Sequence, residues 1–189
     1  MIDTIFNLFN TRGHLSYGED ITQIEHALQC GQLAREDGAH DALIGAALLH
    51  DIGQLLDDAG NAAQQRGVDA RHEITGAAFL ARAFPDAVTE PIRMHVDAKR
   101  YLCAAGDGYR QSLSDASELS LRLQGGPMDE SEAQAFRQAS FYADAVCLRR
   151  YDDTGKRRNW EVPSLESYRC LLEGLTYQYI GIKSSREDG

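Results

Sequence analysis

Four histidines carry the chemical signal in this chain: His26, His50, His72 and His95 all fall inside helical patterns. Neutral imidazole is the commonest metal ligand, and four of them together suit a shared metal site better than four separate structural roles. His50 is followed by Asp51 within "ALIGAALLHDIGQLL", Ala42 to Leu56, a stretch apolar nearly all round. Such a helix is buried, and a buried imidazole beside a carboxylate needs partners or a metal. Neighbouring side chains on a helix diverge by about 100°. His50 and Asp51 therefore reach one metal, or two adjacent ones, if the helix end opens at Gly53. The acid ligand is drawn from Asp51, Asp144, Asp152 or Asp153. Imidazoles with carboxylates suit Fe, Mn, Zn or Co, whereas Mg and Ca prefer oxygen shells.

Helices must position these groups. The spacing predicts a short helix over 2–10 with Ile5, Leu8 and Phe9 inward, then a loop over 11–20. A second helix runs from near Asp20 to a stop at Gly38, and its stripe of His26, Cys30 and Leu33 turns His26 inward. Asp41 is the expected N-cap of the apolar helix, and "DDAGNAAQQRGVDA" is a polar loop of the length that is seldom idle. Helices are then expected from Ala70 to Phe84 and after Thr89, with Pro91 in the first turn of the latter. Val88, Ile92, His95, Lys99 and Leu102 recur at three- and four-residue steps, which places His95 and Lys99 on one inward face. An inward lysine calls for an anion. "LSDASELSLRLQ" is expected as a further helix, and "GGPMDESEA" as turn, N-cap and start of another that leads to "FRQASFYADAVCLRRYDD". The last helix is expected from Ser164 to Ile182, with a frayed tail over 184–189. No strand is expected. The fold class is all-α, a single domain over 1–189 with its core at about 13–156.

Composition excludes several partners. The formal charge of −10 argues against nucleic acid and acidic membranes, though not against a small anion in a locally basic pocket. No apolar run approaches the roughly 20 residues of a membrane span. "MIDTIFNLFNTRGH" lacks the basic lead and cleavage site of a secretory leader. Cys30, Cys103, Cys147 and Cys170 form no CxxC pair, which favours a reducing cytoplasm over a disulfide framework. A monomer or small homo-oligomer is expected.

His26…His50-Asp51…Asp152 resembles the HD-domain superfamily, and "LLHDIG" after an apolar helix strengthens the likeness. Within it, "YGEDITQIEHALQC", "AALLHDIG", "RHE", "EPIRMHVDAKRYLC", "LQGGPM" and "LRRYDD" are similar in order and spacing to the phosphonate-degrading diiron oxygenases of the PhnZ and TmpB type. The likeness runs from about Gly13 to Lys156. It implies an HD-type helical bundle around a dinuclear site with His26, His50, Asp51, His72, His95 and Asp152 as ligands, Asp51 bridging two Fe ions in a mixed-valent Fe(II)/Fe(III) pair. It implies phosphonate contacts from Lys99, Arg149 and Ser117, and a lid pair of Tyr17 and Glu19, the latter near a cationic substrate end. Where the group often has a histidine after "HDIG", this chain has Gln54, and "YGE" is tighter than usual. The implied activity is O2-dependent cleavage of the C–P bond of a 1-hydroxy-2-aminoethylphosphonate, with a free or N-trimethylated amine, to phosphate and glycine or glycine betaine. The alternatives are an HD phosphohydrolase acting on a nucleotide or phosphate ester, and a regulatory domain that binds a nucleotide without turnover.

Overall fold

A computed structural model describes residues 1–18, 20–56, 69–106, 108–178 and 181. The described elements, in chain order, are α1 (Ile2–Arg12), β1 (Ser16–Gly18), β2 (Ile21–Thr22), α2 (Gln23–Glu36), α3 (Asp41–Leu49), α4 (Ile52–Leu56), α5 (His72–Leu80) and α6 (Asp86–Ala104). A 3-10 turn (Tyr109–Ser112), α7 (Asp115–Leu123), α8 (Glu130–Gln138), α9 (Tyr142–Thr154), a second 3-10 turn (Leu165–Tyr168) and α10 (Arg169–Gly174) complete them. The fold is all-α, as the periodicity predicts.

Helix α3 is the centre. All seven residues from Leu43 to Leu49 are buried, which is what a helix without a polar face requires. Helices α2 and α6 pack against it, α9 lies against α6, α2 and α3, and α5 bridges α4 and α6. The main core gathers Ile5, Phe9, Leu48, Leu49, Phe84 and Ile92 with their neighbours, and a smaller cluster of Met94, Met128 and Phe136 fills the space between α6, α8 and α9.

Local signals set several boundaries differently from the expectation. The apolar stretch does not continue as one helix opening at Gly53: α3 ends at Leu49, His50 and Asp51 form a turn, and α4 resumes at Ile52. Gly53 has another duty. A Cβ there would lie 2.0 Å from the carbonyl oxygen of His72, so a glycine lets the backbones of α4 and α5 touch. The N-cap of α3 is His40, whose Nδ1 accepts from the Leu43 amide, and not Asp41, which is the first helical residue.

Helix α2 begins at Gln23 because Thr22 and Glu25 form a capping box. Residues 16–22, expected as loop and helix start, instead form a small antiparallel ribbon pairing Ser16 with Thr22 and Gly18 with Ile21. Strands of three and two residues are too short to show a period. Helix α6 starts at Asp86 behind Pro85, so Pro91 sits inside the helix and not in its first turn. The expected helix from Ser164 to Ile182 is broken: a 3-10 turn leads into α10, and the Tyr177 amide leaves the helical ladder to donate to the Ala83 carbonyl (2.9 Å). Residues 57–68 of the expected polar loop, Glu19 and the 184–189 tail lie outside the described residues.

Candidate metal centre

The helices converge on one cluster. His26 comes from α2, His50 and Asp51 from the α3–α4 turn, His72 from the first position of α5, His95 from α6 and Asp152 from the last turn of α9. His26, His50, His95 and Asp152 are at most 3 % exposed. The sequence reading placed His95 on one face with Lys99, and Val88, Ile92, His95, Lys99 and Leu102 are all buried as that face requires.

Geometry divides the cluster in two. The Nε2 atoms of His26 and His50 are 3.2 Å apart, and those of His72 and His95 are 3.3 Å apart. Asp51 stands between the pairs: its Oδ2 is 3.8 Å from His26 Nε2 and 3.5 Å from His50 Nε2. Its Oδ1 is 3.0 Å from His72 Nε2 and 3.9 Å from His95 Nε2. Asp152 joins the first pair, with Oδ1 3.3 Å from His26 Nε2.

The far nitrogens explain why these rings face inward. Nδ1 of His26 donates to the Gly155 carbonyl (2.8 Å), that of His50 to Ala47 (2.9 Å) and that of His95 to Ile92 (2.7 Å). Carbonyls only accept, so Nδ1 carries the proton and each Nε2 presents a lone pair to the centre. Two imidazole lone pairs 3.2 Å apart in a buried space repel unless a cation or proton lies between them. Burial, followed by the neighbouring His72 and His50, pushes His95 down to about 3, so it stands neutral. Burial alone would raise the Asp51 carboxyl, yet His50 and His72 hold it well below the usual carboxylate range. Burial also pushes His50 down. At His26 burial is outweighed by Cys30 with Asp152, and at His72 by Asp51, so both are raised. A proton sits at these two rings where a metal cation would take its place. Imidazoles around an ionised carboxylate form a donor set that fits transition-metal ions.

Of the other expected residues, Tyr17, Gln54, Lys99, Ser117 and Arg149 border a cavity of about 100 Å³ beside this cluster, as does Lys156, which was not expected. Tyr17, delivered by the ribbon, stacks on His26 (centroids 3.8 Å apart, planes at 20°) and its hydroxyl donates to Asp152 Oδ1 (3.2 Å). Gln54 Oε1 accepts from Gln23 Nε2 (3.2 Å). Lys99 Nζ donates to Ser120 Oγ (2.7 Å). Arg149 is bound to Asp152 Oδ2 (2.6 Å), to Asp153 and, through Nε, to the Tyr109 hydroxyl (3.0 Å). The four acids left open by spacing are thus sorted. Asp51 and Asp152 face the imidazoles, Asp153 faces Arg149 and Tyr109, and Asp144 pairs with His40 away from the cluster (3.3 Å).

Sequence reasoning did not select Ser120, Glu73, Tyr109 or Lys156. Ser120 sits three residues after Ser117, a legible helical step. Glu73 follows His72 directly; it is buried with Oε2 3.8 Å from His72 Nδ1, and that oxygen has no hydrogen-bond partner. Tyr109 opens a 3-10 turn of four residues and Lys156 lies beyond the end of α9, where no periodicity exists to mark them. Cys30 stacks near His26 but donates to the Tyr151 carbonyl (3.5 Å), and burial pushes its thiol up, away from the thiolate a metal would take.

Helices converging on imidazoles and carboxylates define the class: an all-helical enzyme built around a metal site. No family model matches the chain. It is 44% identical to a hydroxymethylphosphonate dioxygenase of Gimesia maris over 91% of this chain and 86% of that protein. It is 36% identical to a glycine-betaine-forming [1-hydroxy-2-(trimethylamino)ethyl]phosphonate dioxygenase of Leisingera caerulea, over 96% and 93% respectively. An uncharacterized protein of Acanthamoeba polyphaga mimivirus is 33% identical over 90% of this chain and 80% of its own length. The chain belongs to the PhnZ/TmpB-like family of phosphonate dioxygenases, enzymes that incorporate oxygen.

Proposed function

We propose that this chain cleaves the C–P bond of a short 1-hydroxyphosphonate with O2. The reaction R–CH(OH)–PO3²⁻ + O2 → R–COO⁻ + HPO4²⁻ + H⁺ balances without an external reductant. R is hydrogen, as in the substrate of the 44% relative, or an aminated carbon, as in that of the 36% relative. The observation that carries the reading is the division of Asp51, with one oxygen toward each imidazole pair. Two metals bridged by one carboxylate fit that arrangement.

His26, His50 and Asp152 would hold one iron, His72 and His95 the other, with Asp51 common to both. When bound, a mixed-valent Fe(II)/Fe(III) pair would supply the redox chemistry that couples reduction of O2 to oxidation of the substrate. The chain's own share is placement. Lys99, Arg149 and Ser117 hold the phosphonate beside the metals, and guanidinium and ammonium donors suit its oxygens. Gln54, its oxygen already engaged by Gln23, offers amide N–H groups to the substrate. Tyr17 covers the His26 side and limits water there, and Glu19 meets the cationic end of an aminated substrate. The protein works in the cytoplasm as a monomer or small homo-oligomer; no described helix is long and apolar enough to cross a membrane.

The test compares hydroxymethylphosphonate, 1-hydroxy-2-aminoethylphosphonate and its N-trimethyl form with Fe(II), ascorbate and air. One O2 consumed per phosphate released, with no release under argon, is expected for at least one of them. Phosphate release from nucleotides without O2 would replace this reading with hydrolysis.

A further inference from the structure

We infer that Lys156 is a substrate-binding residue, the cation that completes the phosphonate cradle; this rests on the phosphonate reading above. Its place is fixed by its neighbour. The Gly155 carbonyl accepts from His26 Nδ1 (2.8 Å), and a Cβ on Gly155 would meet Cys30 Sγ at 2.6 Å. The chain therefore passes tightly behind a metal-facing histidine, and the next side chain emerges at the cavity.

There Lys156 Nζ lies 3.5 Å from Ser117 Oγ and 5.6 Å from the centroid of the Tyr17 ring. Lys99, from α6, reaches Ser120 Oγ at 2.7 Å. Ser117 and Ser120 are one turn apart on α7, so two ammonium groups from different elements flank one strip of hydroxyls. Side chains so spaced are about 5–6 Å apart at Cβ, a separation that a tetrahedral anion spans when different oxygens accept from each side.

Charge supports the same assignment. Arg149 is already bonded to both Asp152 and Asp153, so those three side chains sum to one negative charge. Arg149 brings directional donors to the cavity but no surplus positive charge. A phosphonate dianion entering beside two carboxylates needs more positive charge than Arg149 supplies, and Lys156 brings an ammonium group to the cavity, next to the Ser117 hydroxyl and the Tyr17 ring.

The experiment uses iron-loaded wild type, K156M, K156Q and K156R. The readouts are KM and kcat for hydroxymethylphosphonate, the calorimetric Kd of methylphosphonate, which lacks the 1-hydroxyl, and iron content. Loss of a charge-assisted hydrogen bond is expected to raise KM and Kd about 10- to 100-fold in K156M and K156Q. Expected alongside are a kcat within about threefold, full iron content and recovery of most of the affinity in K156R. Unchanged KM and Kd in an iron-replete K156M or K156Q would overturn the assignment. A wild type that binds methylphosphonate but turns over no hydroxyphosphonate sinks the proposed reaction alone; lost methylphosphonate binding in K156Q would still support Lys156.

Discussion

Lys99 shows how one residue's charge becomes conditional on its surroundings. It is 2 % exposed, and burial, followed by Arg149, pushes its ammonium group down to about 7. A phosphonate contact needs the protonated form, which dominates below that value. KM for a hydroxyphosphonate is therefore expected to rise as pH climbs through about 7. Lys99→Arg keeps its charge and should flatten that profile, which separates the lysine from titration of the substrate itself. Lys99→Ala should raise KM by about 10- to 100-fold with a smaller loss in kcat. The histidines of the second pair make a sharper case. His72→Ala and His95→Ala are each expected to abolish O2 uptake and to reduce bound iron from two ions to one; a variant keeping two ions and full turnover would remove the dinuclear reading.

At the scale of elements, the chain spends glycine where backbones meet. Gly53→Ala would press a Cβ against the His72 carbonyl oxygen, a backbone atom with little room to give. Overpacking of that kind costs about 1–3 kcal/mol, and a shift of α5 would carry His72 with it. The expected result is a Tm lowered by about 2–4 °C per kcal/mol, together with weaker iron retention. Wild-type iron content and Tm would show that α4 and α5 can part without disturbing the site. Helix identity was legible here because α2 and α6 carry an apolar period and α3 is apolar all round. The breaks were not. Nothing local in "LLHDIG" distinguishes a continuous helix from one interrupted at His50 and Asp51, and the ribbon that delivers Tyr17 is too short for any pattern.

Across the whole molecule, the cluster holds lone pairs together in a buried volume and so opposes the fold until cations fill it. At a hundredfold excess over Kd a bound ligand adds about 2.7 kcal/mol, so two ions are expected to raise Tm on the order of 10 °C for a chain this size. Chelation followed by a thermal melt, then Fe(II) readdition, checks this; a Tm indifferent to both would mean that the cluster is a polar network and no metal site. The net charge of −10 is compatible with an anionic substrate only because cations are gathered locally around the cavity.

The sequence by itself determined the helical class, the inward faces of α2 and α6, and the residue types available to bind a metal and an anion. Those follow from period and chemistry, which are properties of short stretches. Only the tertiary structure decided that Asp51 divides its oxygens between two imidazole pairs, that Asp153 serves Arg149, and that Lys156 reaches the same helix as Lys99. The Asp51 and Lys156 pairings join residues tens of positions apart on separate elements, and their distances depend on how those elements pack around α3. Asp153 lies only one helical step from Arg149, but which of the four acids turns to the imidazoles is again set by packing.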